Sequence, residues 1–274
     1  MVKIYIISQN EPFYIPKMIQ FILKNKNNYQ VIGYTLLSPK RKNKSIWYWF
    51  KERARVYTTK ELILSGLLFG YTKIINVVLR NSPYSVKSQF KKYNIKQFKT
   101  NDINSNKYIM ELRKLNPDVI FSISCPQLFK EELLKVPNKY CINAHGTLLP
   151  RHRGVFGSFW TLFSNDKIGG STIHTMDLKL DSGVNLWQEE FNVEHYDTQY
   201  SIAYKTKRQM AKGIRELLEK INRGYERPIN PKHKISYHRA PTKEEGKKFH
   251  DRGHKIIIFK DIKKVLSKEF DFKN

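Results

Sequence analysis

The segment CINAHGTLLPRHRG, residues 141–154, contains side chains that can do chemistry. Asn143 and His145 lie two residues apart at the end of an apolar run, and alternate residues of an extended strand point to the same side. Asp181 follows in the turn sequence LDSG, and a carboxylate can hold an imidazole in one tautomer and raise its pKa. An amide, an imidazole and a carboxylate can together stabilise an oxyanion and move a proton. These are the requirements of acyl transfer without a serine or cysteine nucleophile.

Alternating strand and helix patterns indicate the elements that position these residues. Short apolar runs predict strands at residues 2–8, 29–38, 117–124 and 140–146. Helical spacing of apolar residues predicts helices at 15–25, 129–136 and 198–224, the last ending at Gly224. This alternation predicts an α/β fold, a Rossmann-like, doubly wound and mostly parallel sheet. In such a sheet, ligands bind outside the carboxyl ends of the strands, where Asn143 and His145 lie.

The sequence around Asp181 reads as two further strands joined by the DSG turn. SQNEPFYIP, rather than a glycine-rich G-x-G-x-x-G turn, follows the first strand, which disfavours a dinucleotide-binding site.

Residues 40–100 interrupt the alternation of strand and helix patterns. This interruption predicts an insertion, with helices outside the sheet over 40–82. The segment is aromatic, apolar and basic. It could pack on the main domain, or it could form a homo-oligomer contact or a peripheral membrane contact through 45–82. Its most apolar part, 62–71, is shorter than a bilayer-spanning helix.

The chain has 274 residues and a net charge of +26. Nucleic-acid binding, attraction to an anionic membrane and a general compositional bias all fit this charge. The even spread of lysines favours the bias. A basic surface would also suit an anionic small substrate. Two cysteines make no disulfide framework, and the first residues read as a strand rather than a signal peptide, so we expect a cytoplasmic protein, with membrane-peripheral placement as the alternative.

CINAHGTLLPRHRG, then FW, then GGSTIHTMDLKLDSG together strongly resemble the folate-dependent formyltransferases. This family includes methionyl-tRNA formyltransferase, glycinamide ribonucleotide transformylase and the nucleotide-sugar N-formyltransferases. The resemblance is strong over about 115–190, looser over 1–40 and 198–224, and absent over 40–100. It implies the formyltransferase fold, 10-formyltetrahydrofolate as co-substrate, and Asn143, His145 and Asp181 as the catalytic residues.

The resemblance also implies a pterin pocket lined by the loops at 124–129 and 176–181. The cofactor-binding residues that it indicates are Cys125, Pro126, Gln127, Leu128, Leu180 and Gly183. Simple core packing would explain the apolar members equally well. The Cys-Pro-Gln sequence departs from the family's more usual aliphatic loop, which leaves the exact contacts open.

The amine substrate of the family faces the region just after the catalytic strand, which implies Arg151, Arg153 and Trp160 as substrate-binding residues. Arginines can bind phosphate or carboxylate bidentately, although solvated surface arginines fit the sequence as well. His174 would point to the same edge, or would be a core histidine. No metal site is expected, because the histidines of the tail are scattered without cysteine partners.

The expected domains are a catalytic domain over 1–225 and a C-terminal extension over 226–274. Within the family that the sequence resembles, methionyl-tRNA formyltransferase carries a sizeable C-terminal barrel. The 50 residues after Gly224 are too few for such a barrel. The sequence therefore favours an amino sugar on a nucleotide as the acceptor, with nucleic acid an unfavoured partner. The alternative acceptors are initiator tRNA and another amine, such as a lipid-linked one. The alternative class is a non-enzymatic basic protein that binds nucleic acid or a membrane.

Overall fold

A computed structural model of the chain describes residues 1–24, 28–38, 51, 53–224 and 226–271. Its central sheet has six strands in the order β2-β1-β3-β4-β6-β7. These strands are β1 (Val2–Gln9), β2 (Tyr29–Leu37), β3 (Val119–Ile123), β4 (Tyr140–His145), β6 (Ile168–Thr175) and β7 (Asn185–Asn192). The first four strands in this order are parallel, and β6 and β7 are antiparallel to their neighbours. The predicted mostly parallel, doubly wound sheet is confirmed, with an antiparallel pair at one edge.

Helices cover both faces of this sheet. They are α1 (Ile15–Lys24), α2 (Thr59–Val78), α3 (Val86–Lys92), α4 (Asn106–Leu115), α5 (Glu131–Leu134), α6 (Gly157–Phe163), α7 (Gln199–Arg223), α8 (Lys243–Asp251) and α9 (Phe259–Leu266). Alternate residues of β1 belong to two separate apolar clusters, one containing α1 and α7 and the other containing α4 and α5. As predicted, α7 ends at Gly224, whose φ of 70° lies in the left-handed region that glycine adopts without strain.

The predicted helix outside the sheet is α2, which begins at a capping box between Thr58 and Glu61. Residues 40–50 and 52 of that prediction lie outside the described residues. The helix runs for 20 residues, and its length and composition are sufficient to cross a bilayer. The expectation that this segment is too short to span a bilayer, drawn from 62–71 alone, was therefore wrong, because the apolar residues from Ile74 to Val78 continue the same helix. Where the structure describes 51–100, this segment adds only one bridge, Tyr34 to Gln97, at the outer edge of the sheet.

The C-terminal extension packs into the same core as the sheet. The short strand β8 (Tyr237–His238) pairs with β5 (Arg153–Gly154), the next strand after β4. In α8, the Phe249 ring stacks on Phe159 with a centroid distance of 4.5 Å. The fully buried Lys17 ammonium donates to the last carbonyls of α9, and burial lowers the pKa of Lys17 to about 7. The boundary near residue 225 stays a prediction, since both sides share one core.

Candidate active site

The antiparallel pairing of β4 with β6 fixes the polar residues of the site. Asn143 lies directly opposite His174, and His145 lies opposite Thr172. Opposed residues of an antiparallel pair project to the same face, and residues two apart on a strand do so as well. Asn143, His145 and His174 therefore share one face of the sheet.

The loop between β6 and β7 adds Asp181 to this group. Its carboxylate Oδ2 lies 3.5 Å from His145 Nδ1, and Oδ1 lies 3.6 Å from His174 Nε2. The backbone N–H of Gly154 donates to Oδ2 at 2.8 Å, and Asp181 itself has a φ of 51°. Left-handed backbone at a non-glycine residue is strained, and such strain is concentrated at functional sites. The structure thus brings His145 and Asp181 together, as the strand and turn patterns predict.

Both ring nitrogens of His145 face oxygen atoms. Nε2 lies 3.0 Å from the carbonyl oxygen of His152, and Nδ1 faces the Asp181 carboxylate. The longer Nδ1 to Asp181 contact is the weaker of the two, and hydrogen bonds of this kind tighten when a substrate binds.

His174 holds the amide of Asn143 from the neighbouring strand. Nδ1 of His174 donates to the Thr175 carbonyl at 2.7 Å, which leaves Nε2 free of a proton. Nε2 then accepts from Asn143 Nδ2 at 3.3 Å. Burial, assisted by the nearby charge of His145, lowers the pKa of His174 to about 4, so the ring is neutral near pH 7. The sequence indicated His174 at this edge, but only the strand register shows that it orients Asn143.

The loop after β3 carries the first group of predicted cofactor-binding residues. Gln127 is tied to the neighbouring loop, since Oε1 accepts from Ile103 N and Nε2 donates to the Asn101 carbonyl. The Cys125 thiol donates to the Gln127 carbonyl, and burial raises the pKa of Cys125 to about 11, so it is not a thiolate nucleophile. Pro126 and Leu128 are exposed, Leu128 to 69%. Gln127 therefore shapes the loop, while Leu128 leaves an apolar surface open.

The loop after β6 carries the second group. Leu180 is 40% exposed, and Leu178 and Val184 in the same loop are exposed as well. A Cβ atom on Gly183 would lie 1.8 Å from the Thr175 carbonyl oxygen, so close backbone packing alone requires glycine there. Exposed aliphatic side chains on the two loops are suited to the apolar walls of a flat heterocycle site.

The predicted substrate-binding residues divide into two kinds. Trp160 is 5% exposed, stacks on His238 at 4.3 Å and donates from Nε1 to the Arg239 carbonyl, so a substrate cannot reach its ring. Arg151 pairs with Asp166 at 3.4 Å and donates to the Ile168 carbonyl. The substrate-binding role of Trp160 is therefore corrected to a structural one, because the folded tail covers its ring. The role of Arg151 stays a prediction, since its buried Nε has no hydrogen-bond partner among the described residues.

Arg153 is half-buried on β5, and its buried Nε has no hydrogen-bond partner within the described part of the chain. The guanidinium groups of Arg151 and Arg153 thus both keep a donor that a ligand could engage.

A second histidine cluster supports the segment that holds Asp181. His152 Nε2 lies 2.7 Å from Asp166 Oδ2, and His152 Nδ1 lies 2.9 Å from His238 Nε2. Burial and the charge of His152 lower the pKa of His238. Among the described residues, no group of histidine, cysteine, aspartate and glutamate side chains has the arrangement of a metal site.

Lys207 on α7 is a candidate that the sequence did not single out among so many lysines. Its ammonium donates to Ser124 Oγ at 2.9 Å, at the end of β3, and burial lowers its pKa to about 8. The adjacent Thr206 lies against Gly146, the residue after His145. A desolvated cation therefore lies at the edge formed by the ends of β3 and β4.

Two curated proteins of known name are similar in sequence to part of this chain. Methionyl-tRNA formyltransferase of Borrelia garinii subsp. bavariensis is 37% identical over 120 residues, which cover 44% of this chain and 38% of the relative. The bifunctional polymyxin resistance protein ArnA of Wigglesworthia glossinidia brevipalpis is 39% identical over 121 residues, 44% of this chain and 18% of ArnA. The chain thus matches less than half the length of these curated relatives.

Among solved structures, WlaRD, a sugar 3N-formyl transferase crystallised with dTDP and 5-N-formyl-THF, superposes with a TM-score of 0.56 at 20% identity. The superposition covers 87% of this chain and 69% of WlaRD, and at this identity it supports the fold alone. A family match covers residues 72–218 and so begins inside the segment predicted to lack resemblance, which corrects that expectation for residues 72–100. Because this match spans more than half of the sequence, the chain belongs to the formyl transferase family.

Proposed function

We propose that this protein is an N-formyltransferase that moves a formyl group from 10-formyltetrahydrofolate to a primary amine. The observation that carries the proposal is the convergence of Asn143, His145 and Asp181, with His174 holding the Asn143 amide. This is a set of donors and a proton-transferring pair with no nucleophilic side chain, which suits direct attack by a substrate amine.

In the proposed reaction the amine nitrogen attacks the formyl carbon, and the carbonyl oxygen becomes an oxyanion. Asn143 Nδ2 donates to this oxyanion as it develops, and so does the Nδ1–H of His145, whose 3.5 Å contact with Asp181 is long enough to be shared with the oxyanion. Asp181 holds the imidazolium and helps carry the proton released by the amine to the departing nitrogen. The new carbon–nitrogen bond forms, the bond to the folate nitrogen breaks, and the proton ends on the folate. The neutral His174 keeps the Asn143 amide aimed at the oxyanion.

Two features support folate as the formyl donor. The loops after β3 and β6 expose aliphatic side chains beside the polar group, including Leu128 and Leu180. WlaRD, which shares the fold, was crystallised with 5-N-formyl-THF. The residues proposed to bind the pterin are those of these two loops.

We propose an amino sugar linked to a nucleotide as the acceptor, for surface polysaccharide synthesis. Arg153 and Lys207 give the site two cations that a diphosphate can use. WlaRD, a sugar formyltransferase crystallised with dTDP, shares the fold. The second candidate is methionyl-tRNA, which the sequence relatives favour. We place the reaction in the cytoplasm, in keeping with two free thiols.

Single substitutions test the mechanism. His145→Ala and Asp181→Ala should lower kcat by roughly 10²–10³ and leave the Michaelis constant for the folate nearly unchanged, because both side chains act on charge that appears in the transition state. Asn143→Ala should behave alike, with a smaller loss. His195→Ala is the matched control, since His195 is exposed and follows the end of β7 that lies away from Asp181. Wild-type turnover in the His145 or Asp181 variant would refute the mechanism.

The acceptor is tested by presenting nucleotide-linked amino sugars and initiator methionyl-tRNA in parallel, with 10-formyltetrahydrofolate. We expect formylation of a sugar amine. Formylation of the tRNA alone would retain the enzyme class and overturn the proposed acceptor.

A further inference from the structure

Helix α2 presents a continuous apolar stripe to solvent. Its side chains follow helical spacing over the full length of the helix: Ile63, Leu67, Tyr71, Ile74, Val77 and Val78. Leu67 is 68% exposed and Val77 86% exposed, far beyond what a buried helix shows. Contiguous exposed apolar surface of this kind marks an interaction site.

The opposite face of α2 is fixed to the protein. Leu68 and Thr72 are buried, and the Phe69 ring meets Phe13 at 6.5 Å. The buried carboxylate of Glu61 accepts from the Ile256 backbone at 2.7 Å, which ties the start of the helix to the C-terminal extension. The helix is therefore held lengthwise on the surface, with the stripe outward, and it would have to break these contacts to cross a bilayer.

The charges around the stripe are of one sign. Residues 53–101 contain ten lysines and arginines and one acidic residue, the buried Glu61. Lys60, Lys73 and Arg80 are exposed on or directly after the helix. A second copy of the chain packed on this stripe would bring these cations into opposition, and like charges across an interface are unfavourable. An anionic lipid surface would complement them instead.

We propose that α2 is a docking surface for an anionic membrane, with the helix lying in the plane of the headgroups and its stripe in the upper acyl region. Phe13 follows β1 at the carboxyl edge of the sheet, so its contact with Phe69 places the docked helix beside the edge that carries the candidate site. The protein would then work at a lipid surface, with its acceptor delivered from that surface or from solution.

Vesicle flotation tests this docking. The full chain should float with vesicles of phosphatidylcholine mixed with phosphatidylglycerol, should stay behind with phosphatidylcholine alone, and should lose binding as salt is raised. The double variant Leu67→Gln, Ile74→Gln should weaken binding by about tenfold or more, because two exposed apolar anchors are lost. Met110→Gln is the control, since Met110 is 59% exposed on α4 on the opposite face of the sheet.

Equal binding of the double variant and the control would overturn the proposal, as would failure of the wild-type chain to bind anionic vesicles. A concentration-dependent dimer that the double variant dissociates, without vesicle binding, would assign the stripe to a second copy instead. Formyl transfer to a soluble amine should be the same in the double variant and the wild type, so this result is separable from that of the proposed function.

Discussion

Lowering the pH should destabilise the fold through His174. Burial lowers the pKa of this ring from 6.5 to about 4. Between about pH 6.5 and pH 4 the unfolded chain therefore binds a proton on this ring that the folded chain does not. The free energy of unfolding is unaffected by His174 above pH 6.5 and decreases as the pH falls towards 4. One pKa unit corresponds to about 1.4 kcal/mol, so at about pH 5 the free energy of unfolding should fall by about 2 kcal/mol from this residue.

Urea denaturation at about pH 7.5 and pH 5 measures this loss. His174→Gln cannot titrate, and it retains an amide that can accept from Asn143, so its free energy of unfolding should fall by about 2 kcal/mol less than that of the wild type between these conditions. His195→Gln removes an exposed histidine and should follow the wild type. Identical pH dependence in His174→Gln and the wild type would show that His174 is not held neutral in the folded protein.

Three further variants test the packing and the site. Gly213→Ala should destabilise by roughly 1–3 kcal/mol in thermal melts, because its Cβ would lie 2.4 Å from the Trp187 ring, whereas Gly66→Ala, in open space on α2, should stabilise by up to about 1 kcal/mol. Equal effects of the two would contradict the packing. Gly183→Ala should reduce turnover at least tenfold while the chain stays folded by circular dichroism, because a carbonyl of β6 lies 1.8 Å from the added atom and the Asp181 loop must shift. Unchanged turnover would show that this loop tolerates the shift. Lys207→Met should raise the Michaelis constant for a phosphate-bearing acceptor about tenfold and leave that for folate unchanged. An equal rise for both would place Lys207 elsewhere in the mechanism.

Local sequence patterns predict the parallel strands and the long helix α7, and the structure confirms these elements. Apolar runs predicted β1, β2, β3 and β4 within two residues of their observed ends, and the glycine after α7 predicted its end. The proximity of His145 and Asp181 was also predictable, since a strand end and a turn in an α/β sheet lie at the same edge.

Residues whose environment depends on distant packing could not be predicted in this way. Trp160 was expected at the substrate, but His238 and the Arg239 carbonyl, about 80 residues later, cover it. The partnership of His174 with Asn143 depends on the register of an antiparallel pair, which no local pattern fixes. The length of α2 was underestimated because the apolar residues of its last turns, Ile74, Val77 and Val78, are exposed, whereas sequence patterns assume that the apolar residues of a helix are buried.

The pairing of β8 with β5 makes the geometry of the proposed catalytic residues dependent on a strand much later in the chain. Ser236 and His238 hold the segment at 152–155, and Gly154 in that segment donates to Asp181. During synthesis, the three proposed catalytic residues emerge from the ribosome long before the strand that aligns them. A nascent or prematurely terminated chain ending after α7 would carry all three residues, yet we expect it to be inactive, so that the formyl donor is consumed only by chains in which residues 236–238 are in place.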